Sequence, residues 1–171
     1  MKEKKTCCFF GHRKVADKEQ LRKRLYEITE ELIIYKNVEV FLLGSKSEFN
    51  TLSREVLAEL KVKYPYIHRI YIRAEYQYID DSYEKYLLQS CDETYYSERA
   101  VNGGKAVYVE RNTEMIDKAD ICIVYYKDGY LPPRRRNCKR DLFDYQPPSG
   151  TQIAYQYAER QNKLIINMAN T

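Results

Sequence analysis

Apolar residues recur along this chain in two alternating patterns. Short, nearly continuous apolar runs closed by polar residues or glycine predict buried β-strands, and apolar residues repeating every three or four positions predict amphipathic helices. The predicted strands cover residues 6–10, 38–43, 67–72, 93–97, 121–126 and 164–168. The predicted helices cover residues 18–35, 49–63, 82–89, 105–118 and 149–161.

Strands that alternate with helices favour a parallel sheet, because each right-handed crossover returns the chain to the same edge of the sheet. We therefore predict an α/β, Rossmann-like fold with one mostly parallel sheet and helices on both faces. The 171 residues suit a single domain over residues 1–171. Residues 127–148 are too long and polar for an ordinary strand–helix loop and are predicted to be a basic loop insertion.

Composition narrows the range of partners. The net charge of +4 is mild and acids and bases are interspersed, so only a local patch is expected to contact nucleic acid. The five cysteines and two histidines show no metal-ligand spacing, and we expect no metal site. Cysteines inside apolar runs, such as Cys7, Cys8 and Cys122, behave as small buried hydrophobes and suit a reducing cytoplasm. No stretch has membrane-spanning length, and no membrane partner is expected.

The first candidate site is Phe-Phe-Gly-His-Arg at positions 9–13, directly after a predicted strand. Ligands bind at the carboxyl ends of parallel strands. Gly11 would allow a ligand close to the backbone, and Arg13 can bind phosphate through two hydrogen bonds. His12 would orient a ribose or act as an acid or base near neutral pH. The structural alternative is a simple turn at the strand end.

The second candidate site is the tripeptide Ser149, Gly150 and Thr151, which opens a predicted helix. A helix N-terminus offers unpaired N–H groups and the positive end of the helix dipole, which suit phosphate. A serine N-cap is the structural alternative, and both roles are compatible. The two motifs together predict a crevice that holds a phosphorylated, nucleotide-type ligand, with no other cofactor.

Two further groups are candidate ligand contacts. The first group follows the second predicted strand and consists of Gly44, Ser45 and Glu48. Glu48 would contact a ribose. Alternatively, the group caps the next helix. Arg111 and Asn112 lie on a predicted helix and would face the site or a partner subunit. Their spacing alone favours an ion-paired structural helix.

The insertion carries a basic run whose charge suits nucleic acid or polyphosphate. Its members are Arg134, Arg135, Arg136, Lys139 and Arg140. Tyr130 nearby would stack on a base. A solvated loop is the plainer interpretation, and a lid over the ligand is a third.

Several motifs resemble those of the SLOG superfamily, specifically its YpsA-like branch. The first is Cys-Phe-Phe-Gly-His-Arg at 8–13, the second spans 111–126, and the third joins 149–151 to Ile-Ile-Asn at 165–167. This resemblance implies a Rossmann-like fold that binds nucleotides or nucleotide-derived ligands in a bacterial or phage protein. The superfamily includes DNA-processing protein A, cytokinin-activating phosphoribohydrolases and ligand-sensing domains of antiphage systems.

The chain departs from the phosphoribohydrolases at Ala154, where those enzymes carry a glutamate. A carboxylate there would stabilise charge developing on the ribose, and alanine cannot. We therefore predict binding or sensing of a nucleotide-derived ligand, with catalytic residues unknown. One alternative is an N-glycosidic hydrolase or transferase that uses Glu48 or Glu110. The other is a single-stranded DNA-binding protein. A cytoplasmic homodimer is expected.

Overall fold

The computed structural model describes residues 2–130 and 149–170, and these form one α/β unit. The strands are β1 (Lys5–Gly11), β2 (Val38–Leu43), β3 (His68–Arg73), β4 (Glu93–Tyr96), β5 (Ile121–Tyr125) and β6 (Leu164–Asn167). The helices are α1 (Lys18–Lys36), α2 (Glu48–Lys63), α3 (Asp81–Leu88), α4 (Ala106–Lys118) and α5 (Gly150–Arg160), followed by a short 3₁₀ turn, Met168–Asn170. None of the helices described is both long and apolar enough to cross a membrane. The predicted basic run at 134–140 lies outside the described residues.

The six strands form one sheet in the order β4-β3-β2-β1-β5-β6, and every pair is parallel. This confirms the predicted Rossmann-like α/β class. The chain builds β1 to β4 in one direction and then crosses to the other side of β1 to add β5 and β6. The strand order therefore reverses between β1 and β5, which is where open α/β sheets form a ligand crevice.

Each face of the sheet carries its own apolar core. Along β1, Cys7 and Phe9 face the core with α1 and α2, while Cys8 and Phe10 face the core with α4 and α5. Successive strand residues point to opposite faces, so a strand covered on both sides needs a continuous apolar run. The predictions of helices on both faces and of buried strand cysteines are confirmed.

The start of α1 has no side-chain cap, although aspartate is a favoured N-cap residue and Asp17 occupies that position. Asp17 lies in the left-handed region, with φ 50° and ψ 55°, and its side chain makes no capping hydrogen bond. Its carbonyl instead accepts from the Leu21 N–H at 2.9 Å. A side-chain N-cap requires an extended backbone, as Ser47 and Ser149 have at the starts of α2 and α5.

Candidate ligand site at the strand switch point

The loop after β1 is tied to the end of β5 by His12. Its backbone N–H donates to the Tyr125 carbonyl at 3.1 Å, and its imidazole Nε2 accepts from the Lys127 N–H at 2.8 Å. The side chain is only 1% exposed although it belongs to a loop. His12 therefore lies at the floor of the crevice between the connections that leave the ends of β1 and β5.

Aromatic rings surround this histidine. Tyr130 stacks on the imidazole with 3.8 Å between ring centroids, and its hydroxyl accepts from the Lys14 N–H at 3.3 Å. Tyr126 lies on another side at 5.5 Å and stacks in turn on Tyr155 of α5 at 4.6 Å. We call Tyr130, His12, Tyr126 and Tyr155 the aromatic row. It joins the loops after β1 and β5 to the second turn of α5.

The protonation state of His12 follows from its contacts. Burial lowers its pKa from 6.5 to about 4, so the ring is neutral at neutral pH. Because a backbone N–H can only donate, Nε2 must present its lone pair to Lys127, and the ring proton is assigned to Nδ1. Nδ1 is buried and has no hydrogen-bond partner among the described residues. A buried donor without an acceptor is unfavourable, so a ligand oxygen that reached this N–H would satisfy it.

Two cationic side chains lie beside this floor. Arg13 and Lys127 follow β1 and β5 directly and are exposed. The Lys127 ammonium lies 5.8 Å from the Tyr125 ring centroid, while the Arg13 carbonyl accepts from the Glu48 N–H at 3.0 Å. The backbone of the Arg13 loop is therefore anchored, and its side chain is exposed to solvent.

Ser149, Gly150 and Thr151 lie at the start of α5. Ser149 caps the helix, because its hydroxyl accepts from the Gln152 N–H at 3.1 Å. Gly150 and Thr151 are at least partly exposed, and a Cβ added at Gly150 would meet no atom of the described residues within 4 Å. Helix geometry leaves the first N–H groups without intrahelical acceptors. The capping role is observed, and ligand binding by these N–H groups stays a prediction.

The backbone of Gly11 lies close to the side chain of Phe49. A Cβ at this position would lie 2.5 Å from Cδ1 and 2.8 Å from Cβ of Phe49, which is fully buried on α2. The missing side chain gives room to Phe49. Contact between Gly11 and a ligand stays a prediction.

Glu48, proposed above as a ribose contact, braces the loop after β1. Its carboxylate accepts from the Val15 N–H at 2.9 Å and from the ammonium groups of Lys18 at 3.0 Å and Lys14 at 3.3 Å. The Val15 hydrogen bond, followed by the two lysines, lowers the pKa of Glu48 to about 2. Ser45, from the same group, accepts from the Ser47 N–H at 3.0 Å. These contacts give Glu48 a structural role, and contact with a ribose stays a prediction.

We expect Glu48→Gln to loosen this loop. The amide keeps one acceptor but loses the charge that attracts the two lysines, so the Val15 N–H is held less firmly. Amide hydrogen exchange at Val15 and Ala16 is expected to accelerate several-fold, while exchange in β3 stays unchanged. Equal protection in both proteins would contradict the bracing role, and Glu27→Gln on the exposed face of α1 is the matched control.

Arg111 joins α4 to the end of β2. It is 5% exposed, its guanidinium donates to the Gly44 carbonyl, and its Nε contacts the Asn112 side-chain oxygen at 3.4 Å. Burial lowers the pKa of Arg111. A Cβ at Gly44 would lie 2.7 Å from Cδ of Arg111, so this glycine is required for the contact. These contacts give Arg111 and Asn112 a structural role through hydrogen bonds rather than through the expected ion pair. A ligand role stays a prediction.

Glu110 and Glu48, the carboxylates considered as catalytic groups of a hydrolase, already accept hydrogen bonds from the protein. Glu110 accepts from the N–H groups of Val101 and Asn102, both at 3.3 Å, and Glu48 braces the first loop. Ala154 is 2% exposed and packs in the core under α4 and α5. Neither candidate carboxylate is free of protein contacts.

Sequence reasoning missed part of the site. Asn167 at the end of β6 holds the turn after β5, because its side chain accepts from the Tyr126 N–H at 3.1 Å and donates to the Tyr126 carbonyl at 2.9 Å. Tyr126 and Tyr155 carried no functional weight in the sequence. The sequence places Tyr126 directly after the most continuous apolar strand, which could have pointed to it. Its stacking partner Tyr155 is 29 residues away, so the pair could not be found from a local pattern.

Comparison with known proteins is consistent with this fold. No family model matches the chain, and no curated protein matches it. A similar solved structure is that of DNA processing protein A from Helicobacter pylori, described for its single-stranded DNA binding mode. The two are 15% identical with a TM-score of 0.57, over 94% of this chain and 63% of that one. The chain thus spans less than two thirds of that structure and has a Rossmann-like fold similar to that of DNA processing protein A.

Proposed function

We propose that this chain binds a phosphate-bearing, nucleotide-type ligand in the crevice between β1 and β5. The observation that carries this proposal is the buried Nδ1–H of His12, which has no acceptor in the described parts of the chain and lies at the switch point. A ligand oxygen would satisfy this donor. The resemblance to the YpsA-like branch of the SLOG superfamily supports the same ligand class.

The neighbouring groups supply complementary chemistry. Arg13 and Lys127 neutralise phosphate charge, and the first N–H groups of α5 add hydrogen-bond donors. His12 donates through Nδ1 to a phosphate or sugar oxygen, which its neutral state permits without a second positive charge. The aromatic row offers ring faces against which a base can stack.

Single-stranded DNA is the second candidate ligand. The observation that favours it is the fold likeness to a protein described for its single-stranded DNA binding mode. The basic run at 134–140 in the sequence supplies further cations. The two ligand classes differ in the dependence of affinity on salt, since a DNA strand that contacts many cations releases many counterions.

Thermal unfolding against a ligand panel tests the proposal. The panel contains AMP, ADP, NAD, ADP-ribose and a single-stranded oligonucleotide, each at 50 and 200 mM salt, followed by chromatography of the ligand. A ligand at about 100 times its Kd adds roughly 2.7 kcal/mol, or a rise in Tm of about 5–10 °C for this size. We expect one mononucleotide or dinucleotide to produce this rise, with little salt dependence, and to be recovered intact.

Substitutions of the crevice cations test whether the ligand binds there. Arg13→Ala and Lys127→Ala are expected to reduce the rise in Tm, and Lys23→Ala, an exposed cation on α1, is expected to leave it unchanged. A rise only with the oligonucleotide, and only at low salt, would favour the DNA candidate. A consumed nucleotide would establish the hydrolase alternative, and no rise with any ligand would overturn the proposal.

A further inference from the structure

A second concave region lies on the same edge of the sheet, away from the switch point. It is an open cavity of about 1000 Å³ at the ends of β3 and β4 and the start of α4. Its walls combine three tyrosines, two carboxylates and a polar glycine-containing loop. They include Tyr76, Tyr96, Tyr108, Glu75, Glu98 and Asn102 to Gly104. We call it the tyrosine cavity, and its volume suits a small molecule.

Two of the three tyrosines are held by hydrogen bonds. The Tyr108 hydroxyl donates to Glu75 at 2.9 Å, and Lys46 pairs with the other oxygen of that carboxylate at 3.0 Å. The Tyr96 hydroxyl donates to the Ala100 carbonyl at 2.9 Å. These two rings are therefore in place before any ligand arrives, which reduces the ordering needed on binding.

The lining of the cavity offers carboxylate and hydroxyl groups that suit the hydroxyl and amino groups of a nucleoside, and Lys46 and Arg73 contact its residues Glu75 and Tyr76 from outside the lining. No lysine or arginine is among the described residues that line it, whereas two carboxylates are. The Glu98 carboxylate is exposed, and its charge helps to raise the pKa of the nearby Lys118 ammonium. Its oxygens can accept from a ribose diol. Tyrosine rings stack on any base.

The cavity lies three strand spacings from the switch point. In the order β4-β3-β2-β1-β5, the distance from the middle of β3 and β4 to the middle of β1 and β5 is roughly 14 Å. A nucleoside attached through a diphosphate reaches across this distance from the far phosphate at the switch point, whereas a nucleoside attached through a single phosphate does not.

We propose that the tyrosine cavity binds the distal nucleoside of a dinucleotide whose phosphates lie at the switch point. Its base stacks on the tyrosines, and its ribose hydroxyls donate to Glu98. This inference rests on the proposed function for the phosphate end, whereas nucleoside binding in the cavity can be tested without phosphate. It narrows the ligand class to dinucleotides with a free ribose.

Calorimetric titration of the full chain tests the cavity directly. The probes are adenosine, guanosine, cytidine and uridine, followed by the symmetric dinucleoside diphosphate of whichever nucleoside binds. We expect one nucleoside to bind, Tyr76→Ala and Glu98→Gln each to weaken it at least about tenfold, and Arg13→Ala to leave it unchanged. Matched controls are Tyr66→Ala, an exposed tyrosine outside the cavity, and Glu27→Gln.

The dinucleoside diphosphate separates the two proposals. Loss of its affinity in both the cavity variants and Arg13→Ala supports both. Loss in the cavity variants alone supports the cavity and overturns the phosphate site. Loss in Arg13→Ala alone, or no nucleoside binding to the wild-type chain, overturns the tyrosine cavity and leaves the phosphate site standing. Far-UV circular dichroism and thermal unfolding check that each variant is folded.

Discussion

Lowering the pH from 6.5 to 4 is expected to remove about 3 kcal/mol of stability through His12. The pKa of this side chain is about 4 in the folded chain and 6.5 ordinarily. Between these values the unfolded chain binds a proton that the folded chain does not. The stabilisation is therefore fully present above pH 6.5 and is lost as the pH falls through 6.5 toward 4. Because the imidazole is 1% exposed, solvent does little to screen this effect.

Urea unfolding at pH 7.0, 5.5 and 4.5 measures this contribution. Carboxylates protonate over part of the same range, so the informative quantity is the difference between wild type and His12→Gln. Glutamine retains an acceptor for the Lys127 N–H but does not titrate. We expect the difference in the free energy of unfolding to shrink as the pH falls. The other histidine, His68, is partly exposed, and His68→Gln is the control. A pH-independent difference for His12→Gln would contradict the buried neutral state.

Gly11→Ala is expected to destabilise the fold by about 1–3 kcal/mol. The new methyl group would overlap Phe49 near its Cβ, where the ring cannot swing aside, and Phe49 is fully buried. For a chain of this size, each kcal/mol lowers Tm by roughly 2–4 °C. Gly150→Ala is the matched control, because its methyl group meets no atom in the described part of the chain and alanine favours the helix. We expect that variant to be unchanged or slightly more stable.

A double-mutant cycle assigns the loss to this contact. Phe49→Leu leaves more room beside Gly11 and is itself destabilising. If the overlap is the cause, Gly11→Ala will cost much less in the Phe49→Leu background than in the wild type, giving a coupling energy of about 1 kcal/mol or more. Additive effects would show that Gly11 is required for another reason. Nucleotide titration of Gly11→Ala then tests separately whether a ligand approaches this backbone.

The order and bounds of the elements could be predicted because they follow from local periodicity. A strand buried on both faces requires a continuous apolar run, as in β1 and β5, and a helix covering one face requires a stripe such as that of α1. These patterns predict the bounds within one or two residues. Their alternation also determines a parallel sheet, since crossovers are right-handed. The placement of both motifs at strand ends follows from the same local information.

Only the tertiary structure decided the strand order and the partners of the site residues. The reversal between β1 and β5 places His12 against Lys127, which is 115 residues away, and no periodicity reports such a contact. Two glycines that the motifs suggested as ligand contacts make room for Phe49 and Arg111, a role that no local pattern reports. The sequence determined which residues stand at strand ends, because that is a local property. Which of these residues already form hydrogen bonds or packing contacts with other parts of the protein depends on how distant segments pack.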